Sequence, residues 1–180
     1  CINRVCQSLD PRGYQVRQIS APSEEERQYH YLWRFWRSIP KTGHITIFDR
    51  TWYGRVLVEY IEQFCTKEEQ IRAYSEINEL EKQLTDWGAV IVKFWLQIDK
   101  DEQLKRFNDR QSTPSKRWKI TPEDWRNREK WDSYEIAVNQ MLEHTSTEFA
   151  PWHVVPTQCK KYGRIRVLEQ IIHAIEQKLQ

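Results

Sequence analysis

Cysteine, glycine and long apolar runs are all scarce in this 180-residue chain, and each scarcity removes a class of function. The four cysteines, Cys1, Cys6, Cys65 and Cys159, form no CxxC pair, no metal-ligand spacing and no disulfide framework. That argues for a reducing, cytoplasmic compartment. No apolar stretch approaches the length of a membrane span and no signal peptide is visible, so no membrane partner is expected. Lys and Arg number 28 against 26 Asp and Glu, a net charge of +2. Such a balance supplies no overall basic field for nucleic acid. The five histidines include no HxxxH pair, and no Ser, Cys or His stands out as a nucleophile. Internal repeats, low-complexity tracts and Gly/Ser linkers are also missing, which predicts one domain over residues 1–180.

What the chain does hold is aromatic bulk, nine Trp among it, and an alternation of strands and helices. Ile45, Ile47 and Phe48 read as a short buried strand that breaks at once into Asp49-Arg50-Thr51-Trp52-Tyr53-Gly54-Arg55. In an open parallel sheet, ligands sit beyond the carboxyl ends of the strands. An Asp there can hold a metal ion, and Arg50 and Arg55 can grip phosphate oxygens. The plainer alternative makes Asp49 a helix cap and Arg50 its ion-pair partner.

The rest of the chain builds a frame around that stretch. Ile2, Val5, Cys6 and Leu9 give an opening helix one apolar face, and Tyr14 to Ser20 is a strand. A capping box at Ser23–Glu26 predicts a helix with Tyr29, Leu32, Trp33 and Trp36 on one side. A second, Thr66–Glu69, opens a long helix with Ile71, Tyr74, Ile77, Leu80, Leu84 and Trp87 inward, stopped by Gly88. Ala89–Ile98 is apolar on both faces, as a doubly covered parallel strand is, and a charged helix from Lys100 to Asp109 follows. Pro151–Pro156 is the last strand, and Ile165, Leu168, Ile172, Ile175 and Leu179 form a seam on the final helix. This order predicts an α/β fold, a parallel sheet with helices on both faces. Periodicity assigns Trp33, Trp36, Trp87 and Trp95 to the core and leaves Trp52, Trp118 and Trp131 as candidates for exposure.

One segment is not explained by packing. It carries Lys105, Arg106 and Arg110, then Pro114-Ser115-Lys116-Arg117-Trp118-Lys119, then Arg126, Arg128 and Lys130. Thr121-Pro122-Glu123-Asp124 restarts a helix inside it, with Trp125, Trp131, Tyr134, Ala137, Val138 and Met141 as the apolar side. Cations on a helical insertion are what a lid over a polyanion requires. The alternative is an ordinary solvated charged face. Stacking of single-stranded nucleic acid on the Trp residues is disfavoured, because most of them fall on core positions.

Taken together, these stretches resemble the second family of polyphosphate kinases. The resemblance rests on Leu9-Asp10-Pro11-Arg12-Gly13-Tyr14, His30-Tyr31-Leu32-Trp33-Arg34-Phe35-Trp36, Phe48 to Glu59, Lys93-Phe94-Trp95-Leu96, Arg110 with Pro114–Lys119, and Trp131-Asp132-Ser133-Tyr134. Gly54–Glu59 and Trp125–Asp132 look closest to the subgroup that phosphorylates AMP. The resemblance implies a thymidylate-kinase-like P-loop fold with a helical lid at about residues 104–131 and Mg²⁺ as cofactor. It also implies inorganic polyphosphate and AMP or ADP as partners, and a homo-oligomer. By the same resemblance Asp49 would be the Walker B acid holding Mg²⁺, and Arg50 and Arg55 would contact the transferring or acceptor phosphate. Arg110 would be the lid arginine, Lys116 and Lys119 would line the lid, and Arg34 would help place the acceptor.

The family's Walker A loop and first strand would lie just ahead of Cys1, so the resemblance implies a domain truncated at its N-terminus. Two functional readings follow. One is a phosphotransferase moving the terminal phosphate of polyphosphate to AMP; the alternative is a catalytically incompetent fragment that binds polyphosphate or nucleotide. Loss of a central strand also predicts either that its neighbours pair directly or that another chain fills the gap.

Overall fold

The computed structural model describes residues 1–180. Four strands form where the apolar runs are shortest and most β-branched or aromatic: β1 (Tyr14–Gln18), β2 (Ile45–Asp49), β3 (Lys93–Gln97) and β4 (Trp152–Pro156). β1 and β2 pair in parallel, with Tyr14 opposite Ile45 and Gln18 opposite Asp49. β3 and β4 do the same, with Lys93 opposite Trp152 and Gln97 opposite Pro156.

The helices are α1 (Ile2–Cys6), α2 (Trp33–Trp36), α3 (Val58–Ile61), α4 (Lys67–Asp86), α5 (Lys100–Ser112), α6 (Pro122–Glu129), α7 (Trp131–Thr145) and α8 (Lys160–Leu179). The parallel α/β plan is the expected one. β2 and β3, however, share no ladder, so the sheet consists of two separate pairs. Direct pairing of these neighbours, one of the two outcomes expected, does not occur.

Both pairs lie in one layer, because they share their cover. On one face Phe48 of β2 and Trp95 of β3 pack against a core built from Leu32, Phe35, Trp52, Tyr53, Val56 and residues of α4 and α7. On the other, Ile47 and Phe94 pack against a smaller cluster of Val5, Val155 and Val167. Ile77, Val56 and Met141 are wholly enclosed.

Local signals account for the helix starts. Thr66 and Glu69 cap α4 reciprocally, at 3.2 and 2.8 Å. Asp99 accepts from the Glu102 N–H at 2.7 Å to open α5, and Thr121 and Asp124 box the start of α6. Gly88, at φ +108, ends the α4 region.

Some faces differ from the sequence reading. The Ser23–Glu26 box closes at 2.9 and 3.1 Å, but only a 3-10 turn at Glu26–Gln28 follows it. Tyr29 is extended (φ −112, ψ 166), which breaks the helix and resets its phase. Leu32 and Phe35 are therefore the buried pair, while Tyr29 and Trp36 face solvent. In α4 the inward face is Gln70, Ala73, Tyr74, Ile77, Leu80, Glu81 and Leu84, with Ile71 and Trp87 outside. In α8 the packed residues are Val167, Leu168 and Ile171, and Ile165, Ile172, Ile175 and Leu179 are exposed. Trp52, a candidate for exposure, is buried.

α8 lies unusually close to the end of β4. A Cβ added at Gly163 would stand 2.6 Å from Thr157 Cγ2. Thr157 cannot swing aside, because its hydroxyl donates to the Gln97 carbonyl at 3.0 Å. Gly163→Ala is therefore expected to lose about 1–2 kcal/mol despite alanine's better helix propensity, read as a lowered urea midpoint at unchanged slope.

Candidate functional site

The tip of β2 is set by backbone first. The Asp49 carbonyl accepts from the Ile19 N–H at 3.0 Å, which closes the strand pair. Arg50 then turns to φ +67, a left-handed conformation that costs a non-glycine residue about 1–3 kcal/mol. Thr51 is extended, and its hydroxyl accepts from the Tyr53 N–H at 3.3 Å to start the 3-10 turn Trp52–Val56. The side chains of Asp49 and Arg50 are left in solvent, with no ion pair or hydrogen bond of their own.

The two aromatics that follow run inward and meet a buried charge pair. Glu81 of α4 is fully enclosed. Its Oε1 accepts from Trp52 Nε1 at 3.1 Å and from the Tyr53 hydroxyl at 2.7 Å. Its Oε2 accepts from Lys93 Nζ at 2.7 Å. The same ammonium donates to the Tyr53 hydroxyl at 2.8 Å and to the Thr145 carbonyl at 2.7 Å, using all three protons. It also lies 5.3 and 5.1 Å from the Tyr53 and Trp152 ring centroids. Burial draws the Glu81 carboxyl up and the Lys93 ammonium down in pKa, and their contact opposes both. The Tyr53 hydroxyl is raised by burial and then by the Glu81 charge.

This network is why Trp52 is inside: its indole N–H has a carboxylate to satisfy it. Sequence reasoning missed the pair, though a signal existed. Glu81 falls in helical phase with Tyr74, Ile77 and Leu84, and Lys93 heads an otherwise apolar strand.

The helical insertion rises from the end of β3. Arg110 stands in the last turn of α5, half-buried and without an ion-pair or hydrogen-bond partner. The 3-10 turn Pro114–Lys119 exposes Lys116, Arg117, Trp118 and Lys119. Trp118 is 76 % exposed, its indole donating to the Ser115 carbonyl at 3.1 Å, with the Lys119 ammonium 5.1 Å from its ring. α6 folds back on α5 through Trp125 against Phe107 at 5.2 Å. Arg128 fixes it further, donating to the Lys100 carbonyl at 2.6 Å and to Gln103 at 3.1 Å. Lys130 pins the α6–α7 junction to Glu62 at 2.9 Å.

The start of α7 links the insertion to the β2 tip. Lys100 lies 4.0 Å from Asp132. Two residues on, burial pushes the Tyr134 hydroxyl up to about 12, with Glu62 and Glu123 adding to the shift and the Arg50 guanidinium opposing it. Arg50 therefore shares a neighbourhood with the first turn of α7.

The other predicted cations are engaged elsewhere. Arg55 is held by Glu59 and Glu69, both at 3.0 Å, with its guanidinium 5.0 Å from the Tyr31 ring. Arg34 donates to the Ser20 carbonyl at 2.9 Å and lies 3.6 Å from Glu26. The structure thus leaves the neighbouring side chains of Asp49 and Arg50 free at the β2 tip, and sets Arg110, Lys116 and Lys119 on the insertion without a contact to them. Clefts of 240 and 470 Å³, beside Glu76 and Trp125 respectively, do not include Asp49.

No group of three or more His, Cys, Asp or Glu side chains could hold a metal on its own. A single free carboxylate is nonetheless what magnesium takes when phosphate oxygens and water complete its shell. The donor set at the β2 tip fits that ion.

Comparison with known proteins extends over the whole chain. A family model described as Polyphosphate kinase 2 (PPK2) matches residues 1–180. The chain is 57% identical over 175 residues to a polyphosphate:AMP phosphotransferase of Pseudomonas aeruginosa, covering 97% of this chain and 35% of that one. Identity to the protein of that name from Acinetobacter johnsonii is 53%, covering 97% and 37%. A GDP-polyphosphate phosphotransferase of Pseudomonas aeruginosa is 34% identical, covering 97% and 49%. The chain thus spans little more than a third of the first two relatives. A polyphosphate kinase 2 crystal structure from Arthrobacter aurescens TC1 superposes with a TM-score of 0.94 at 40% identity, covering 97% of this chain and 62% of that one. A structure from Pseudomonas aeruginosa PA01 gives 0.97 at 56% identity, covering 99% and 39%.

Proposed function

Because the chain belongs to the polyphosphate kinase 2 family, with the α/β fold of those kinases, we propose that it takes part in moving the terminal phosphate of inorganic polyphosphate to AMP, giving ADP. The observation that carries this reading is a free carboxylate next to an arginine of fixed backbone at the β2 tip, at the end of the sheet from which the cationic insertion rises. AMP is favoured as acceptor because identity is 53–57% with relatives named for AMP and 33–35% with those named for GDP or NDP.

Phosphoryl transfer asks a protein mainly for position and charge neutralisation. Asp49 would hold Mg²⁺, which supplies charge neutralisation at the phosphate oxygens when bound. Arg50 faces the transferring group from a fixed backbone. Residues 104–131 act as a lid: Arg110 meets the charge on the phosphoryl in flight, and Lys116 and Lys119 hold the polyanion. Arg34 and Arg55 brace the walls through the partners they already have. A cytoplasmic setting fits the sparse, unpaired cysteines, and no helix is long and apolar enough to cross a membrane. Assembly with further copies would cover the exposed apolar residues of α8.

The test is ADP formation by the full-length protein from long-chain polyphosphate, AMP and Mg²⁺, with GDP as competing acceptor. Asp49→Asn is expected to lower turnover about 10²–10³-fold and to raise the Mg²⁺ concentration needed for half-maximal rate. Its folding stability should stay unchanged, since the Asp49 side chain has no protein partner. Tight polyphosphate binding with no ADP formed at saturating Mg²⁺ would instead establish the binding-only role.

A further inference from the structure

Glu81 and Lys93 occupy positions where the helix and strand patterns call for apolar side chains. A pair of well-packed hydrophobic residues would fill that volume without the desolvation that two buried charges incur. What the charges add is direction. Every bond they make ends on another member of the pair, on the two residues just past the β2 tip, or on the end of α7: Trp52 Nε1, the Tyr53 hydroxyl and the Thr145 carbonyl. A fully satisfied buried network of this kind fixes its members more tightly than packing alone.

Arg50 makes that fixation matter. Its left-handed backbone persists only if the chain is held on both sides. On one side the Asp49 carbonyl is bound by Ile19. On the other, only Thr51 separates Arg50 from the clamped pair Trp52 and Tyr53. Neither Glu81 nor Lys93 reaches the solvent at the tip, so both act through these neighbours.

We propose that Glu81, braced by Lys93, is a positioning residue for phosphoryl transfer: by fixing Trp52 and Tyr53 it holds the Asp49 carboxylate and the Arg50 guanidinium in register. This rests on the β2 tip being the transfer site. A misplacement of about 1 Å at a reacting group lowers rate by about 10²-fold, whereas binding of a long polyanion by several lid cations tolerates such a shift.

The experiment uses the full-length protein with two variants, Tyr53→Phe and the double Glu81→Leu/Lys93→Met. Thermal midpoint, kcat, and KM for polyphosphate and AMP are measured for each. The double variant should stay folded with a lowered midpoint, because the Trp52 indole N–H and the Tyr53 hydroxyl lose their acceptor, lose at least about tenfold in kcat, and hold its polyphosphate KM within about twofold. Tyr53→Phe, which removes one hydroxyl and no ring, should lower kcat severalfold with a small change in midpoint. A parent-like kcat in the double variant overturns the proposal, as does an equal rise in both KM values at unchanged kcat. If the double variant fails to fold, Tyr53→Phe decides, and a parent-like kcat there overturns it. Absence of ADP formation by the parent protein is a different result, and refutes the reading of the tip itself.

Discussion

Arg110→Ala is expected to lower the turnover of ADP formation by about 10³-fold or more, the loss typical when an arginine that neutralises a phosphoryl in flight is removed. The guanidinium has no ion pair and no hydrogen bond in the unliganded chain, so nothing in the fold depends on it. Thermal stability should therefore stay within about 0.5 kcal/mol of the parent, which separates a chemical role from a structural one. Arg110→Lys keeps the charge at the C-terminal end of α5 but loses the planar fork, and should recover only part of the rate. Steady-state kinetics at saturating polyphosphate and AMP check both. A rise in polyphosphate KM with kcat intact would give Arg110 the gripping role proposed for Lys116 and Lys119.

Lys93→Met alone should be the most damaging single change to the fold, at about 3–5 kcal/mol, because it strands a buried carboxylate. Glu81 keeps its bonds to Trp52 and Tyr53 but loses the one cation that opposes its burial. Its carboxyl is already drawn up by burial, and without Lys93 it moves further up. A carboxyl raised on folding binds its proton more readily in the native state. The variant's stability should thus be greatest below the unfolded carboxyl value, about 4.3, and fall as pH rises through the raised native one. Urea unfolding at pH 5 and pH 8 tests the sign, and greater stability at pH 8 contradicts it. Adding Glu81→Leu to Lys93→Met should restore part of the loss, since the stranded charge goes with it while the Trp52 and Tyr53 donors stay unpaired.

Much of the frame was legible because it is written locally. Capping boxes at Ser23, Thr66 and Thr121 all close as read, and the Asp49-Arg50 break after an apolar strand marks the tip. What escaped was decided at longer range. The box at Ser23 predicts a start but not the extended Tyr29 that ends the turn three residues on, so the buried face was assigned one phase too early. Trp52 is only a candidate for exposure in the sequence, because no periodicity assigns it to the core. Its burial depends on a carboxylate 29 positions later in the chain, which no local window contains. Glu81 itself sat in phase with apolar neighbours, but a glutamate on a helix reads as solvent-facing until the lysine that pairs with it is found across the fold. Arg55 and Arg34 could be recognised as cations, but not that Glu59, Glu69 and the Ser20 carbonyl would claim them first.

Trp118 carries a consequence of another kind. Its indole stands in open water at the far end of the insertion, held by its own N–H and attended by the Lys119 ammonium. Trp52, by contrast, is sealed in the core, its indole bound to Glu81. Any movement that brings the insertion down onto a bound polyanion changes the surroundings of the first chromophore and not of the second. Closure of the proposed lid should therefore be readable in tryptophan emission without an attached dye, as a polyphosphate-induced change that Trp118→Phe abolishes.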